Sequence, residues 1–326
     1  MEIGKLPNEV LDDIVISSIK NRRAEVVERA AVGKDCAVVD YGDKYCVLSS
    51  DPITGAEKNL GKIAVNIACN DIAAGGAEPV ALLMTILAPP ETTKETIKKI
   101  MMEANEASRL INVEIVGGHT EITNAVNKII LSLTAVGIKD KSIINQDVKL
   151  GDFVLMTKYA GMEGSTIIAD EKEAQLLKFN IEVEELSYAK DYINSLSVVK
   201  EGSICSRIGV KYMHDITEGG IEGAVWEASK ANNIGIEIEE KTIPVSDITR
   251  KICDCFSLDY LKLISSGSML IICSPDKYLV IKSQLDESSI MVTKIGEIIE
   301  DGIYFTVDGK RRIINQPASD ELYKII

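Results

Sequence analysis

Short, strand-like apolar runs alternate with stretches of helical periodicity along the whole chain, and six brief polar islands punctuate them. Strands and helices are mixed without a strict βαβ rhythm, which predicts an α/β (α+β mixed) fold. Tyr41-Gly42-Asp43 separates Cys36–Asp40 from Tyr45–Ser50 as a hairpin turn. Ile63, Ile67 and Cys69 to Ala73 recur at helical spacing over 60–74, and Gly75-Gly76 reads as the C-cap. A strand over 80–87, a helix over 92–110 and strands at 113–116 and 128–137 complete the first half. Polar, aperiodic residues from Ile138 to Leu150 mark a boundary, which predicts domains over 1–147 and 148–326. In the second half the pattern predicts helices near 164–179, 182–195 and 218–231. Strands are expected near 210–213, 234–238, 268–273, 291–297 and 302–306, followed by a polar tail.

Charge narrows the function. A formal net charge of −14 and a pI near 4.8 exclude a nucleic-acid partner or an anionic membrane surface, since no basic stripe offsets the acidic field. An anionic ligand would need a helix N-terminus or a divalent cation to hold it. The seven cysteines are an odd number, and Cys253 and Cys255 are too close for a zinc knuckle. Most lie in apolar runs, as expected of a reduced, cytoplasmic protein. The longest apolar run, Val80 to Ala88, is less than half a membrane span.

The islands carry the chemistry. They are Lys34-Asp35-Cys36-Ala37, Ser50-Asp51-Pro52, Asn70-Asp71 through Pro79, Gly117-Gly118-His119-Thr120-Glu121, Gly161 to Gly164, and His214-Asp215 through Gly220. Asp51 follows a strand and precedes a proline that turns the chain outward. Asp71 lies a turn before a helix end, where the macrodipole disfavours an anion unless a cation answers it. Gly117-Gly118 is expected to end a strand and let backbone approach a ligand. Gly161–Gly164 opens a helix whose N–H groups would cradle a phosphate. Asp215 or Thr217 is expected to cap the helix that follows Gly220. His119 and His214 are the chain's only histidines and titrate nearest neutrality, so they are expected as general acid or base, with Glu218 as an alternative base.

Taken in order, with Gly4-Lys5-Leu6-Pro7 ahead of them, these islands resemble the AIR-synthase-like (PurM) ATP-binding superfamily. That superfamily includes aminoimidazole-ribonucleotide synthetase, thiamine-monophosphate kinase, selenophosphate synthetase and the hydrogenase-maturation branch HypE, and the islands look most like the last. The resemblance implies two α/β domains, the first forming a β-barrel with a second subunit of a homodimer, and an ATP cleft. It implies magnesium ligands at Asp35, Asp51, Asp71 and Glu121. Nucleotide contacts would fall at Lys5, Lys34, Asp51, Asn70, Asp71, Gly117, Gly118, Thr120, Gly161, Gly164 and Asp215.

Two departures qualify it. Relatives carry paired acids where this chain has Lys34-Asp35, and the HypE branch acts on a cysteine at its own C-terminus after Pro-Arg-Ile, whereas this chain ends Leu322-Tyr323-Lys324-Ile325-Ile326. An external small-molecule or protein acceptor, phosphorylated at an amide or carbonyl oxygen, is therefore expected. The alternatives are a non-catalytic ATP-binding regulatory or assembly dimer, a kinase of the thiamine-monophosphate type, and a purely structural dimer.

Overall fold

The computed structural model describes residues 6, 8–29, 31, 33–143, 146–316 and 319–326. Lys5, one of the expected nucleotide contacts, lies outside them. The described chain opens with a helical stretch, α1 (Asn8–Val10), that continues as π and 3-10 turns to Ser18. The first sheet contains β1 (Val26–Glu28), β2 (Ala37–Asp40), β3 (Lys44–Ile53), β4 (Glu78–Ala88), β5 (Glu114–Ile122) and β6 (Ile130–Asp140), in the order β1-β2-β3-β6-β4-β5. The expected hairpin is present, with Asp40 opposite Tyr45. Helix α2 (Leu60–Ala74) lies between β3 and β4, and α3 (Lys94–Leu110) between β4 and β5.

The second sheet has seven strands. They are β7 (Phe153–Thr157), β8 (Tyr212–Asp215), β9 (Gly235–Glu239), β10 (Met269–Cys273), β11 (Val292–Ile299), β12 (Ile303–Val307) and β13 (Lys310–Ile313), ordered β13-β12-β9-β11-β7-β10-β8. Its helices are α4 (Met162–Glu171), α5 (Glu173–Lys178), α6 (Val183–Asp191), α7 (Val199–Ile208), α8 (Gly220–Asn232), α9 (Asp247–Phe256) and α10 (Tyr278–Glu287). Helices α7, α9 and α10 and strand β13 were not anticipated. In α10 only Ile281 and Leu285 are buried, too sparse a stripe to stand out as a period. One face of this sheet packs Val154, Met156, Ile236 and Ile238 against Ile221, Val225 and Ala228 of α8. The other packs Leu155 and Ile271 against Ile204 of α7 and Ile281 of α10.

Helix α2 joins the halves. Its sheet-facing residues, including Ile63 and Ile72, share one apolar cluster with Leu82 and Leu133 of the first sheet and with Ile167, Ile168 and Leu186 of α4 and α6. The first half therefore shares its core with the second, which also keeps an apolar cluster of its own beneath α8. On its other side α2 meets α7, where Gly202 is obligatory: a Cβ there would sit 2.5 Å from the Ala73 carbonyl oxygen. Asn70 is wholly buried and acts as a clamp, donating from Nδ2 to Leu196 O at 2.8 Å and accepting Val198 N–H on Oδ1 at 2.8 Å. With both ends of its amide bonded to backbone, Asn70 serves packing between the halves. Among the described residues no helix is long and apolar enough to cross a membrane.

Candidate active site

Four carboxylates, from β3, α2, β8 and the segment before β2, converge where α2 passes the edge strand β8. Side chains alternate along β3, so Val47, Ser49, Asp51 and Ile53 share the face that covers α2. Asp71, in the last turn of α2, meets them there and is only 8% exposed. It is thus no solvated surface acid. Ser49 Oγ bridges the two acids, in a short hydrogen bond to Asp71 and 3.2 Å from Asp51 Oδ2. A hydroxyl carries one proton, so a proton on Asp71 completes both bonds. Asp35 enters from the segment before β2, and the neighbouring Cys36 thiol donates to the Asp71 carbonyl at 3.1 Å.

Asp215 closes the cluster from the end of β8. It is 1% exposed, and its Oδ2 has no hydrogen-bond partner among the described residues. One ligand atom each from Asp35, His214 and Asp215 lie within 4.8 Å of one another. Burial, followed by Asp215, Asp51 and Asp35, holds the Asp71 carboxyl well above the usual carboxylate range. Burial and then Asp35 push Asp215 up to about 7, with His214 pulling the other way. Crowded, buried oxygen donors with one orphan oxygen are what a hard divalent cation such as magnesium takes.

His214 does not play the part expected of it. Its Nδ1 bonds Asp35 Oδ2 at 2.8 Å and its Nε2 bonds Glu227 Oε2, on α8, at 2.9 Å. Burial alone would lower its pKa, yet Asp35 and then Glu227 overcome this and hold it well above the ordinary value. The ring is an imidazolium pinned between two carboxylates, so it neutralises and orients Asp35 and offers no nitrogen to an acceptor. Asp215 likewise is a strand residue and caps no helix. The N–H of Gly219, ahead of α8, is met by Asp320 Oδ2 at 2.7 Å.

The other expected residues are scattered. Gly117-Gly118 does not end β5, which runs on to Ile122 beside β4. Gly118 has φ 145° and a Cβ on it would lie 1.8 Å from Met84 O, so the glycine permits the close approach of β4. Register runs Asp51, Leu133, Met84, Gly118 across the sheet, which puts β5 level with Asp51 but about 14 Å away by strand spacing. His119 is opposite Thr85, on the face turned away from α2, where its Nε2 bonds Glu121 Oε2 at 3.2 Å. Both are exposed, as is Thr120 between them. Within one chain, Glu121 and His119 stand outside the acidic cluster.

Gly161 N–H is satisfied by Ser265 Oγ and Gly164 N–H by Ile264 O, so neither is available to cradle a phosphate. A Cβ on Gly164 would lie 2.4 Å from Leu263, a packing reason for that glycine. Lys34 is largely exposed, 3.8 Å from Glu28. Glu218 accepts the Tyr323 hydroxyl at 2.8 Å. Ser49 and Glu227 were missed. Ser49 had a signal, since strand period places it on the Asp51 face; Glu227 is thirteen residues beyond His214 and had none.

Two sheets tied by one helix around a largely buried carboxylate cluster define a mixed α/β protein. The AIR synthase related protein family models match it twice, the N-terminal domain over residues 33–139 and the C-terminal domain over 149–308, and the chain belongs to that family. It is similar to a Methanocaldococcus jannaschii protein named for hydrogenase expression or formation, 28% identical over 99% of this chain and 97% of the relative. It is also similar to the carbamoyl dehydratase HypE of Escherichia coli, 26% identical over 87% of this chain and 83% of the relative. A solved structure of hydrogenase maturation protein HypE in complex with ATP has the same fold, with a TM-score of 0.74, 18% identity, and coverage of 98% of this chain and 97% of the other.

The cluster has a consequence for stability. Asp215 has an ordinary pKa of 3.8 when unfolded and about 7 when folded. Its proton therefore favours the fold fully below the unfolded value, and that contribution is lost as pH rises through the folded value. The metal-free thermal midpoint should fall between about pH 4 and about pH 7, and Asp215→Asn should flatten the fall; a calorimetric pH series on both proteins checks this.

Proposed function

We propose that this chain is an ATP- and magnesium-dependent enzyme that transfers the γ-phosphoryl group to an amide or carbonyl oxygen of a separate acceptor. The observation that carries this reading is the cluster of Asp35, Asp51, Asp71 and Asp215, in which the partnerless Asp215 oxygen and the raised pKa values of Asp71 and Asp215 favour a cation. The similarity to HypE and the ATP complex of a HypE fold support ATP as the nucleotide.

Asp35, Asp51, Asp71 and Asp215 would hold magnesium, which supplies charge neutralisation on the triphosphate and at the departing phosphoryl group. The chain's own residues prepare that site. His214, fixed between Asp35 and Glu227, keeps the Asp35 carboxylate turned into the cluster. Ser49 holds Asp51 and Asp71 at one spacing. Glu218 is the remaining candidate base, placed by Tyr323 at the start of α8. Segment Asp320–Ile326 contains no cysteine to act as the acceptor.

On this reading 1–147 and 148–326 act as two domains and the chain pairs with a second copy. The support is the face of the first sheet turned away from α2, where Leu83 and Ile138 are exposed beside half-buried Leu48 and Val136. His119, Glu121 and the β5 glycines belong to that exposed strand, so any contribution from them is tied to pairing.

ATP turnover with magnesium should fall at least a hundredfold in Asp51→Asn or Asp71→Asn, by the scale of losing a charge-stabilising group, about 2.7 kcal/mol or more. Turnover equal to the parent's would overturn the assignment. Leu83→Glu should convert a dimer to a monomer by light scattering, whereas an unchanged mass would remove this face as the pairing surface.

A further inference from the structure

The segment Asp320–Lys324 is built into both halves of the protein. Asp320 accepts Gly219 N–H on Oδ2 at 2.7 Å and Leu322 N–H on Oδ1 at 2.8 Å, and the backbone at Ile264 adds a third bond. Glu321 accepts Asp259 N–H at 3.2 Å and pairs with Lys324 at 2.6 Å. These contacts all belong to the second half. Leu322, 2% exposed, reaches across to the first half: it joins the cluster that contains Ile63 and Ile72, and a Cβ on Gly55 would lie 3.8 Å from it. The Tyr323 hydroxyl does the same, since it donates to Glu218 at 2.8 Å while facing Thr54.

Thr54 and Gly55 follow the strand that carries Asp51, and Glu218 and Gly219 follow the strand that carries Asp215. The segment therefore touches both turns by which the chain leaves the acidic cluster, one in each half. Next to it lies a second set of acids. Glu163, at the start of α4, is 3% exposed, has Oε2 without a hydrogen-bond partner among the described residues, and is raised to about 7 by burial and then by Asp320 and Glu218. A loose Glu218 in such company would turn to relieve that repulsion, and Tyr323 fixes its direction.

We propose that Asp320, Leu322 and Tyr323 form an interdomain brace, in which Asp320 fixes the entry to α8 and hence Asp215, Leu322 ties that entry to the turn after Asp51, and Tyr323 orients the Glu218 carboxylate. These are positioning residues, and their role in nucleotide chemistry rests on the proposed function above. Asp320→Asn removes one of two acceptor oxygens with little change of shape, and Tyr323→Phe removes only the hydroxyl.

The test measures three things on the full chain: magnesium affinity by calorimetry, ATP turnover with magnesium, and amide exchange at Gly219 in the metal-free protein. Asp320→Asn should speed Gly219 exchange and weaken magnesium binding about tenfold. Tyr323→Phe should keep the thermal midpoint and the magnesium affinity of the parent while lowering kcat about tenfold, a split that a merely structural hydroxyl would not produce. A parent that binds magnesium and turns over ATP, with both variants matching it in affinity, exchange and kcat, would overturn the brace. A parent that neither binds magnesium nor turns over ATP, with Gly219 exchange still accelerated in Asp320→Asn, would overturn the proposed function and leave the brace as the link between the halves. Unaccelerated exchange in that case would overturn both.

Discussion

Mutual repulsion among Asp35, Asp51, Asp71 and Asp215 is the constraint on which the architecture turns. Unit charges a few ångströms apart repel strongly wherever water is excluded, and Asp71 and Asp215 are both almost fully buried. The fold contains the repulsion in three ways. Burial raises the pKa of Asp71 and Asp215 and so favours their neutral forms, His214 is set against Asp35, and a hydroxyl is placed between Asp71 and Asp51. Each arrangement is displaceable or incomplete, as the partnerless Asp215 oxygen shows. On the proposed function, a bound cation would relieve what these arrangements leave uncompensated.

Helix α2 makes this crowding possible. It is buried along nearly its whole length because it packs on the first sheet on one side and on α7 and β8 on the other. Asn70 locks it to the segment 196–198, and Gly202 lets α7 reach its backbone. The adjacent Asp71 is thereby held in the interior with no rotation of the helix available to expose it. Adjacent residues of one helix turn thus do different work: the amide clamps the halves and the carboxylate enters the site.

Local pattern revealed more of the fold than of the site. Helix α2 was legible residue by residue, because its apolar spacing and the Gly75-Gly76 stop agree. Strand β5 was cut short in the reading since glycines ordinarily interrupt strands, whereas here they admit the neighbouring strand. Asp35, Asp51, Asp71 and Asp215 were all visible as unusual acids. What the acids touch was not visible: Asp320 meets Gly219 from 101 residues away and His214 meets Asp35 from 179. Pairings at that separation leave no periodic trace. The surroundings of His119 and His214 were hidden for the same reason, and a histidine's chemistry is set by the groups on its two nitrogens.

On the proposed function, a cation entering the carboxylate cluster displaces the protons that its raised pKa values favour. The direct measurement is the number of protons released when magnesium binds at pH 7, obtained by titration calorimetry in buffers of different ionisation enthalpy. The account predicts net proton release on binding, reduced in Asp215→Asn. Magnesium binding with no proton release, or with the same release in that variant, would contradict it.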